Sequence, residues 1–239
     1  MSNELKLDQI DVNGDIREVA HEASEALDGD TRLSFLKKAG LAGGAVVSGG
    51  ALLSALTPAA SMAAGKGRPP ASFGKGDIGI LNYALTLEYL EAAFYNEATA
   101  NNAKKSFLSG AAEQAFLQQT TADENAHVAF LKKALGKKAV AAPKVDFGGT
   151  TSDHDSFIAT AFALENTGVG AYSGQALNIE SPAYIAAALS IWSIEARHAS
   201  VAGLLLSPTA KNISPNGAFD KPKTAAQVLK AVDKTGFLK

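Results

Sequence analysis

Two Glu-x-x-His motifs lie within long apolar stretches of the sequence, at Glu124–His127 and Glu195–His198. Residues i and i+3 share one face of an α-helix, so the carboxylate and the imidazole of each motif point the same way. That face is otherwise apolar, with Leu131 beside the first motif and Ile191 beside the second. A charged pair inside a helical core is costly unless it is neutralised, and a metal ion neutralises it. The motifs therefore predict a metal site inside a helical bundle.

Two further apolar stretches each place one glutamate on an apolar helical face. Glu88 shares its face with Leu85, and Glu165 shares its face with Phe162. The order along the chain is therefore Glu, Glu-x-x-His, Glu, Glu-x-x-His. Dimetal sites of four-helix bundles take one Glu from each of two helices and one Glu-x-x-His from each of the other two. The pattern predicts an all-α bundle whose metal ligands are Glu88, Glu124, His127, Glu165, Glu195 and His198.

The stretch Ile80–Tyr95 reads ILNYALTLEYLEAAFY. It resembles a bacterial branch of the ferritin-like superfamily whose members carry an export signal, and the resemblance covers roughly residues 77–206. It implies a ferritin-like four-helix bundle with one long crossover between the second and third helices. It also implies two terminal carboxylates, two carboxylates that bridge the metals, and two imidazoles that each cap one ion. By this resemblance, Glu88 and Glu165 would be the terminal carboxylates. Glu124 and Glu195 would be the bridging carboxylates, and His127 and His198 would be the capping imidazoles.

Two tyrosines repeat the same spacing in the two halves of this region. Tyr95 follows Glu88 by seven residues, and Tyr172 follows Glu165 by seven residues. Seven residues are about two helical turns, so each tyrosine is expected on the face of its own glutamate. Each tyrosine either supports the metal ligands or only packs in the core.

Other polar residues lie close to the ligands in sequence. Glu91 lies one helical turn after Glu88, and Gly168 takes the corresponding place in the third helix. Three roles remain open for Glu91: an additional metal ligand, a gate for incoming metal, or a solvated side chain. Asp123 and Arg197 are expected to face other helices or water.

The ligand chemistry predicts two divalent ions, either Fe or Mn. Carboxylate oxygens and imidazole suit these metals, whereas copper prefers more nitrogen or sulfur ligands. Four carboxylates and two neutral imidazoles would balance two divalent ions, and without metal some carboxylates should remain protonated. The alternative is a set of buried polar pairs with a structural role, but matched positions on four helices favour metal.

The resemblance implies an exported dimetal oxidoreductase that reacts with O2 or peroxide in stress defence, with ferroxidase-like or peroxide-consuming chemistry. The alternative is a non-catalytic protein of the cell envelope that binds metal or has a structural role in desiccation or other stress. A ferritin storage cage is a third, weaker option. A homo-oligomer remains open.

The composition argues against some classes of partner and metal site. The net charge is −2 and no basic patch is interleaved with aromatic residues, so a nucleic-acid partner is not expected. The sequence contains no cysteine, which excludes disulfides and cysteine-based zinc or iron–sulfur sites.

The N-terminal third has a different character from the predicted bundle. Residues 1–30 are acidic and poor in large apolar side chains, which predicts disorder or a frayed helix. Residues 31–64 begin with TRLSFLKK, which is similar to the twin-arginine export motif although Leu33 replaces the second arginine. The Gly-rich apolar stretch that follows predicts a signal peptide, or a membrane anchor if the segment is retained. Residues 65–76 have the composition of a linker.

The remaining boundaries follow from capping and turn residues. The four helices are predicted at about 77–100, 109–135, 153–178 and 181–206, within a bundle that spans 77–206. Asp77 is the expected N-cap of the first helix, and Pro182 is expected at the first position of the fourth. The long connection 137–152 fits the crossover. The C-terminal tail, 207–239, is predicted to contain a short amphipathic helix.

Overall fold

The computed structural model describes residues 67–239. The predictions for residues 1–64, an acidic tail and an export signal or anchor, lie outside this range. Among the described helices, none combines the length and the apolar character that crossing a membrane requires. The six α-helices of the described chain are α1 (Gly76–Lys105), α2 (Ala111–Leu135), α3 (His154–Gln175), α4 (Pro182–Leu206), α5 (Ala210–Ile213) and α6 (Ala225–Thr235).

The first four helices agree with the predicted all-α bundle, and one capping prediction is wrong. The N-cap of α1 is Lys75, not Asp77. The Asp77 carboxylate instead accepts hydrogen bonds from the backbone N–H groups of Glu180 and Ser181, each at 2.9 Å. These groups lie at the entrance to α4, so Asp77 joins the beginnings of α1 and α4. Pro182 does occupy the first turn of α4, as predicted.

The connection between α2 and α3 runs the length of the bundle. At one end, the Asn82 side chain donates to the Lys138 carbonyl and accepts from the Val140 N–H, both at 3.0 Å, which places the end of α2 beside the beginning of α1. At the other end, Asn101 donates to the Thr151 carbonyl at 3.2 Å. The chain thus returns along α1 before α3 begins. This confirms the long crossover.

The crossover makes α2 and α3 run parallel to each other. Their first turns meet where His154 Nε2 lies 2.8 Å from Glu113 Oε1. The contact requires the N-termini of both helices to lie at the same end of the bundle. Since α1 and α4 also begin together, the bundle consists of two antiparallel hairpins, α1–α2 and α3–α4, which face each other and enclose a common interior.

Aromatic side chains fill the part of the interior near the crossover. Phe94 and Phe157 stack with ring centroids 5.3 Å apart, and Phe147 of the crossover meets Phe94 edge to face. Val228 of the predicted C-terminal helix belongs to the same buried cluster. Burial of these side chains fixes the register of the two hairpins, because a core packed at crystal-like density tolerates little sliding.

The C-terminal segment packs directly on α3. Lys223 N–H donates to the Gly170 carbonyl at 2.9 Å. A Cβ atom at Gly174 would lie 1.8 Å from the Lys223 carbonyl oxygen, so only glycine permits this approach. The tail is therefore part of the bundle's packing.

Candidate metal centre

The six predicted ligand residues meet in the interior between the two hairpins. The four glutamates, Glu88, Glu124, Glu165 and Glu195, each have 0% of their surface exposed. His127 and His198 are 9% and 6% exposed. Helices α1 and α3 each supply one glutamate, and α2 and α4 each supply a glutamate and a histidine. The structure thus brings all six side chains into one cluster.

The cluster resolves into two overlapping groups of ligand atoms. Within each group, one atom from every residue lies within 4.8 Å of the others. The groups share Glu124 and Glu195, and this overlap is compatible with two ions bridged by two carboxylates. The first group is Glu88, Glu124, His127 and Glu195, and the second is Glu124, Glu165, Glu195 and His198.

Both histidines direct Nδ1 at the carboxylates. His127 Nδ1 lies 3.1 Å from a Glu124 oxygen and 3.2 Å from a Glu88 oxygen. His198 Nδ1 lies 3.0 Å from Glu124 Oε1 and 3.4 Å from Glu165 Oε2. Only the contact between His127 and Glu124 follows from the i, i+3 spacing within one motif. The carboxylates nearest His198 Nδ1 come from α2 and α3, so the packing of the helices produces those contacts.

Several of these buried atoms make no hydrogen bond of acceptable geometry within the described residues, although His198 Nδ1 lies close to two of the carboxylate oxygens. The atoms are Glu124 Oε1, Glu165 Oε2, both carboxylate oxygens of Glu195, and His198 Nδ1. Buried polar atoms in proteins are nearly always bonded, because an unsatisfied one costs about 1–3 kcal/mol. All five are atoms that can donate a lone pair to a cation. The donor set therefore fits divalent metal ions.

The electrostatics of the cluster agree with the predicted protonation of some carboxylates in the absence of metal. Burial, followed by the charge of Glu88, raises the pKa of Glu124 to about 7. Burial, followed by the charge of Glu124, raises the pKa of Glu195 well above its ordinary value. Burial also acts to raise the pKa of Glu88, but hydrogen bonds from His127 and other neighbours outweigh it and lower that pKa.

The pKa values of the two histidines are also raised, although burial alone would lower the pKa of an imidazole. Burial by itself would lower the pKa of His198, but interaction with the neighbouring carboxylates of Glu124 and Glu165 raises it to about 11. The pKa of His127 is raised for the same reason, by Glu124, Glu195 and Glu88. Protons thus occupy the cluster when metal does not, and metal must displace them to reach the Nδ1 atoms.

The two tyrosines hold carboxylates across the bundle. The Tyr95 hydroxyl donates to Glu165, and the Tyr172 hydroxyl donates to Glu88. Each tyrosine therefore lies seven residues after one glutamate but binds the glutamate of the other hairpin. Burial raises the pKa of both hydroxyls well above the ordinary value, so they remain protonated donors.

Glu91 is buried beside the cluster, with 3% of its surface exposed, so the interpretation as a solvated side chain is wrong. It lies outside both groups of ligand atoms. A Cβ atom at Gly168 would lie 2.3 Å from Glu195 Oε2 and 3.5 Å from Glu91 Oε1. Gly168 therefore leaves the space that Glu195 occupies. Burial and the charge of Glu195 raise the pKa of Glu91 well above its ordinary value.

Asp123 faces another helix, α4, in agreement with the prediction, but nothing in the sequence indicated that it would contact a predicted ligand. Its carboxylate lies 3.1 Å from Nε2 of His198, on the side of the ring away from the cluster. A carboxylate in this position orients a histidine ligand and makes it more basic. The two residues are on different helices and 75 positions apart, so helical spacing gives no signal for the contact. Arg197 is exposed, as predicted.

Residues 76–208 match a family model described as a ferritin-like domain. The match covers more than half of the chain and includes α1–α4 with all six predicted ligand residues. No curated protein matches the chain.

Proposed function

The chain belongs to the ferritin-like domain family, and from this premise we propose that it binds two divalent metal ions and uses them to react with O2 or peroxide. The observation that carries the proposal is the pair of overlapping ligand groups that share Glu124 and Glu195. A site for one ion needs no second histidine and no shared carboxylates. Two groups with two residues in common are the arrangement that two adjacent ions require.

Each hairpin supplies ligands for both ions. Glu88 and His127 would hold one ion, and Glu165 and His198 would hold the other. Glu124 and Glu195 would bridge them, and both have buried oxygens that lack a hydrogen-bond partner within the described chain. Oxygen and imidazole ligands together favour Fe or Mn.

Two reduced Fe or Mn ions would supply the electrons that O2 or peroxide takes up. The protein's contribution is to position the ligands and to exclude water. Tyr95 and Tyr172 fix the terminal carboxylates by hydrogen bonds, and Asp123 fixes the ring of His198. Ligands held in this way do not have to reorganise when the charge of the centre changes.

Glu91 extends the proposal as an additional carboxylate for metal. It lies beside Glu195 but outside both ligand groups, so it can receive an ion without belonging to the resting set. Gly168, at the matched position in α3, has no side chain and so leaves room there for the Glu195 carboxylate.

The test is elemental analysis of the full chain purified without chelators, beside the variant Glu124→Ala/Glu195→Ala. The matched control is Glu97→Ala/Glu180→Ala, which removes two exposed carboxylates. We expect about two equivalents of Fe or Mn per chain in the protein and in the control, and none in the first variant. A protein that contains no metal, and takes none up after chelation and dialysis, would contradict the proposal.

Reactivity needs a separate measurement. With metal bound, we expect oxidation of added Fe(II) by O2 or consumption of peroxide, and loss of both in the Glu124→Ala/Glu195→Ala variant. If bound metal raises the melting temperature but no turnover of O2 or peroxide occurs, the metal has a structural role, as the alternative hypothesis states.

Export and a role in stress defence are also part of the proposal. They are supported by the resemblance at Ile80–Tyr95 and by the twin-arginine-like stretch that begins at Thr31. Fractionation of cells that express the full chain, followed by mass spectrometry of its N-terminus, tests export. Recovery of the uncleaved chain only in the cytoplasm would contradict it.

A further inference from the structure

A cleft of about 230 Å3 lies between α3 and α4, outside the carboxylate cluster. Tyr172 and Ala176 line it on the α3 side, and Ile179 of the intervening turn closes one end. Ile185, Ala188 and Trp192 line it on the α4 side. Leu189, 48% exposed, lies at its rim, so the cleft opens to solvent there. The proposed metal chemistry leaves this space without a role.

The lining of the cleft is uncharged and almost entirely apolar. The Ser173 hydroxyl is its only aliphatic polar group, and that hydroxyl already donates to the Val169 carbonyl at 2.8 Å. The indole Nε1 of Trp192 is different, since it is buried and has no hydrogen-bond partner within the described residues. That atom is inaccessible to solvent, so what the lining offers a bound molecule is apolar surface, including the ring of Trp192.

The size of the cleft limits what it can hold. Apolar cavities of about 150 Å3 in proteins accommodate a benzene-sized molecule. A cleft of about 230 Å3 is therefore large enough for one six-membered ring with a small substituent. An ionised ligand would lose its hydration against this lining without gaining a counter-charge, which disfavours it strongly.

One side chain, Tyr172, contacts both the cleft and the candidate metal centre. Tyr172 lines the cleft, and its hydroxyl donates to Glu88. Tyr172 also lines a much smaller cavity on the α1 side, together with Tyr83 and Leu87. A molecule in the cleft would therefore lie against Tyr172, beside the carboxylates but separated from them by the tyrosine.

We propose that the cleft between α3 and α4 binds a small, uncharged, mainly apolar molecule of one-ring size that packs against Trp192. Binding depends on the lining of the cleft and not on bound metal. The site is thus independent of the reaction proposed above.

The sequence provides a direct probe of this site, because Trp192 is its only tryptophan. The full chain labelled with 15N gives a single indole N–H resonance, which can be followed while cyclohexanone is added. We expect a saturable shift of that resonance, because the ligand would pack against the Trp192 ring. Cyclohexanecarboxylate, which has the same ring with a negative charge, should leave it unchanged. The titration is run on chelated protein and again after metal is added, and both should show binding.

Two variants fill the cleft from opposite walls, Ala188→Leu from α4 and Ala176→Leu from α3. Each should weaken cyclohexanone binding by about tenfold or more, because the added side chain occupies the ligand's volume. Ala186→Leu is the matched control, since Ala186 is exposed on the same helix as Ala188 and lies outside the cleft. Thermal unfolding identifies which filling variant is folded, and that variant is the one interpreted.

Three results would overturn the proposal. The first is no shift with cyclohexanone at any concentration. The second is an equal shift in the folded filling variant, which would place binding elsewhere. The third is a dimer in sedimentation that becomes a monomer in Ala188→Leu and does not respond to cyclohexanone, which would make the cleft an interface between copies. Elemental analysis of the same samples reports on metal separately, so either proposal can fail alone.

Discussion

The hairpins α1–α2 and α3–α4 carry the same set of proposed ligands but differ in the residues beside them. Each supplies a glutamate from its first helix, a Glu-x-x-His from its second, and a tyrosine that binds the other hairpin's glutamate. The matched positions diverge twice. Glu91 in α1 corresponds to Gly168 in α3, and Asp123 before the first motif corresponds to Ile194 before the second.

These differences make the two halves of the cluster inequivalent. His198 is held from behind by Asp123 at 3.1 Å. Ile194 cannot supply a carboxylate for His127 in the same way, because its side chain is apolar. On the other flank, Gly168 provides space and Glu91 provides an additional buried carboxyl group. In the proposed metal centre, the matched ligands would define the positions of two ions, and the unmatched neighbours would set how firmly each ion is held.

The largest expected effect comes from removing the space at Gly168. In Gly168→Ala the new Cβ would lie 2.3 Å from Glu195 Oε2, so this proposed bridging carboxylate must move. We expect loss of at least half of the bound metal by elemental analysis. The helix itself should not suffer, because alanine is about 1 kcal/mol more favourable than glycine in a helix interior.

Gly170→Ala is the control for that change. It is also a Gly→Ala substitution in α3, but its Cβ would meet the aliphatic side chain of Lys223 and no ligand. We expect normal metal content in this variant. Equal metal content in Gly168→Ala and Gly170→Ala would show that the space beside Glu195 does not matter for binding.

The next effect concerns the support of His198. Asp123→Asn keeps a polar side chain but removes the negative charge behind the ring. Metal affinity at one of the two positions should fall about 10- to 100-fold, while the other position is little changed. In competition with a chelator, metal should therefore leave one position about 10- to 100-fold more readily than in the unchanged protein. Gln119→Ala removes the other side-chain contact of Asp123 and should release metal as the unchanged protein does.

The third effect concerns the carboxyl group that only the first hairpin has. The folded-state pKa of Glu91 is raised above its ordinary value of 4.5, so its stabilising contribution is present below that value and is lost as pH rises through the folded pKa. The metal-free protein should therefore become less stable as pH rises above 4.5 and toward the folded pKa. In Glu91→Gln this loss should be smaller, with a melting temperature higher by roughly 5 °C at alkaline pH.

Glu180→Gln is the matched control, because Glu180 is exposed and lies at the surface. Its pH dependence in chelated samples should follow that of the unchanged protein. The explanation would be wrong if Glu91→Gln lost stability with rising pH as steeply as Glu180→Gln.

The smallest effect concerns the two tyrosines, whose removal should lower the free energy of unfolding by equal amounts. Tyr95→Phe and Tyr172→Phe each remove one hydroxyl that donates to a buried glutamate of the other hairpin. Each should lower the free energy of unfolding of the metal-free protein by about 1–2 kcal/mol. Because this is the feature that the hairpins share, urea unfolding should give values within about 0.5 kcal/mol of each other. A clear difference would extend the asymmetry to the tyrosines.

The sequence by itself determined the helices and the ligand pattern. Apolar periodicity and capping residues located α1–α4 to within a few residues, and the i, i+3 spacing placed each Glu and His of a motif on one face. These features depend only on neighbours within one helix. The same local reasoning correctly anticipated the short helix that the structure describes as α6.

Tertiary structure decided the contacts between helices. Helical spacing placed Tyr95 near Glu88, but the packing of the hairpins directs its hydroxyl to Glu165. The same packing places Asp123 behind His198, and it turns Asp77 from an expected cap of α1 into a contact at the entrance to α4. Such contacts join residues that are 70 to 103 positions apart. They depend on how two helices are rotated and shifted against each other, and local periodicity contains no information about that register.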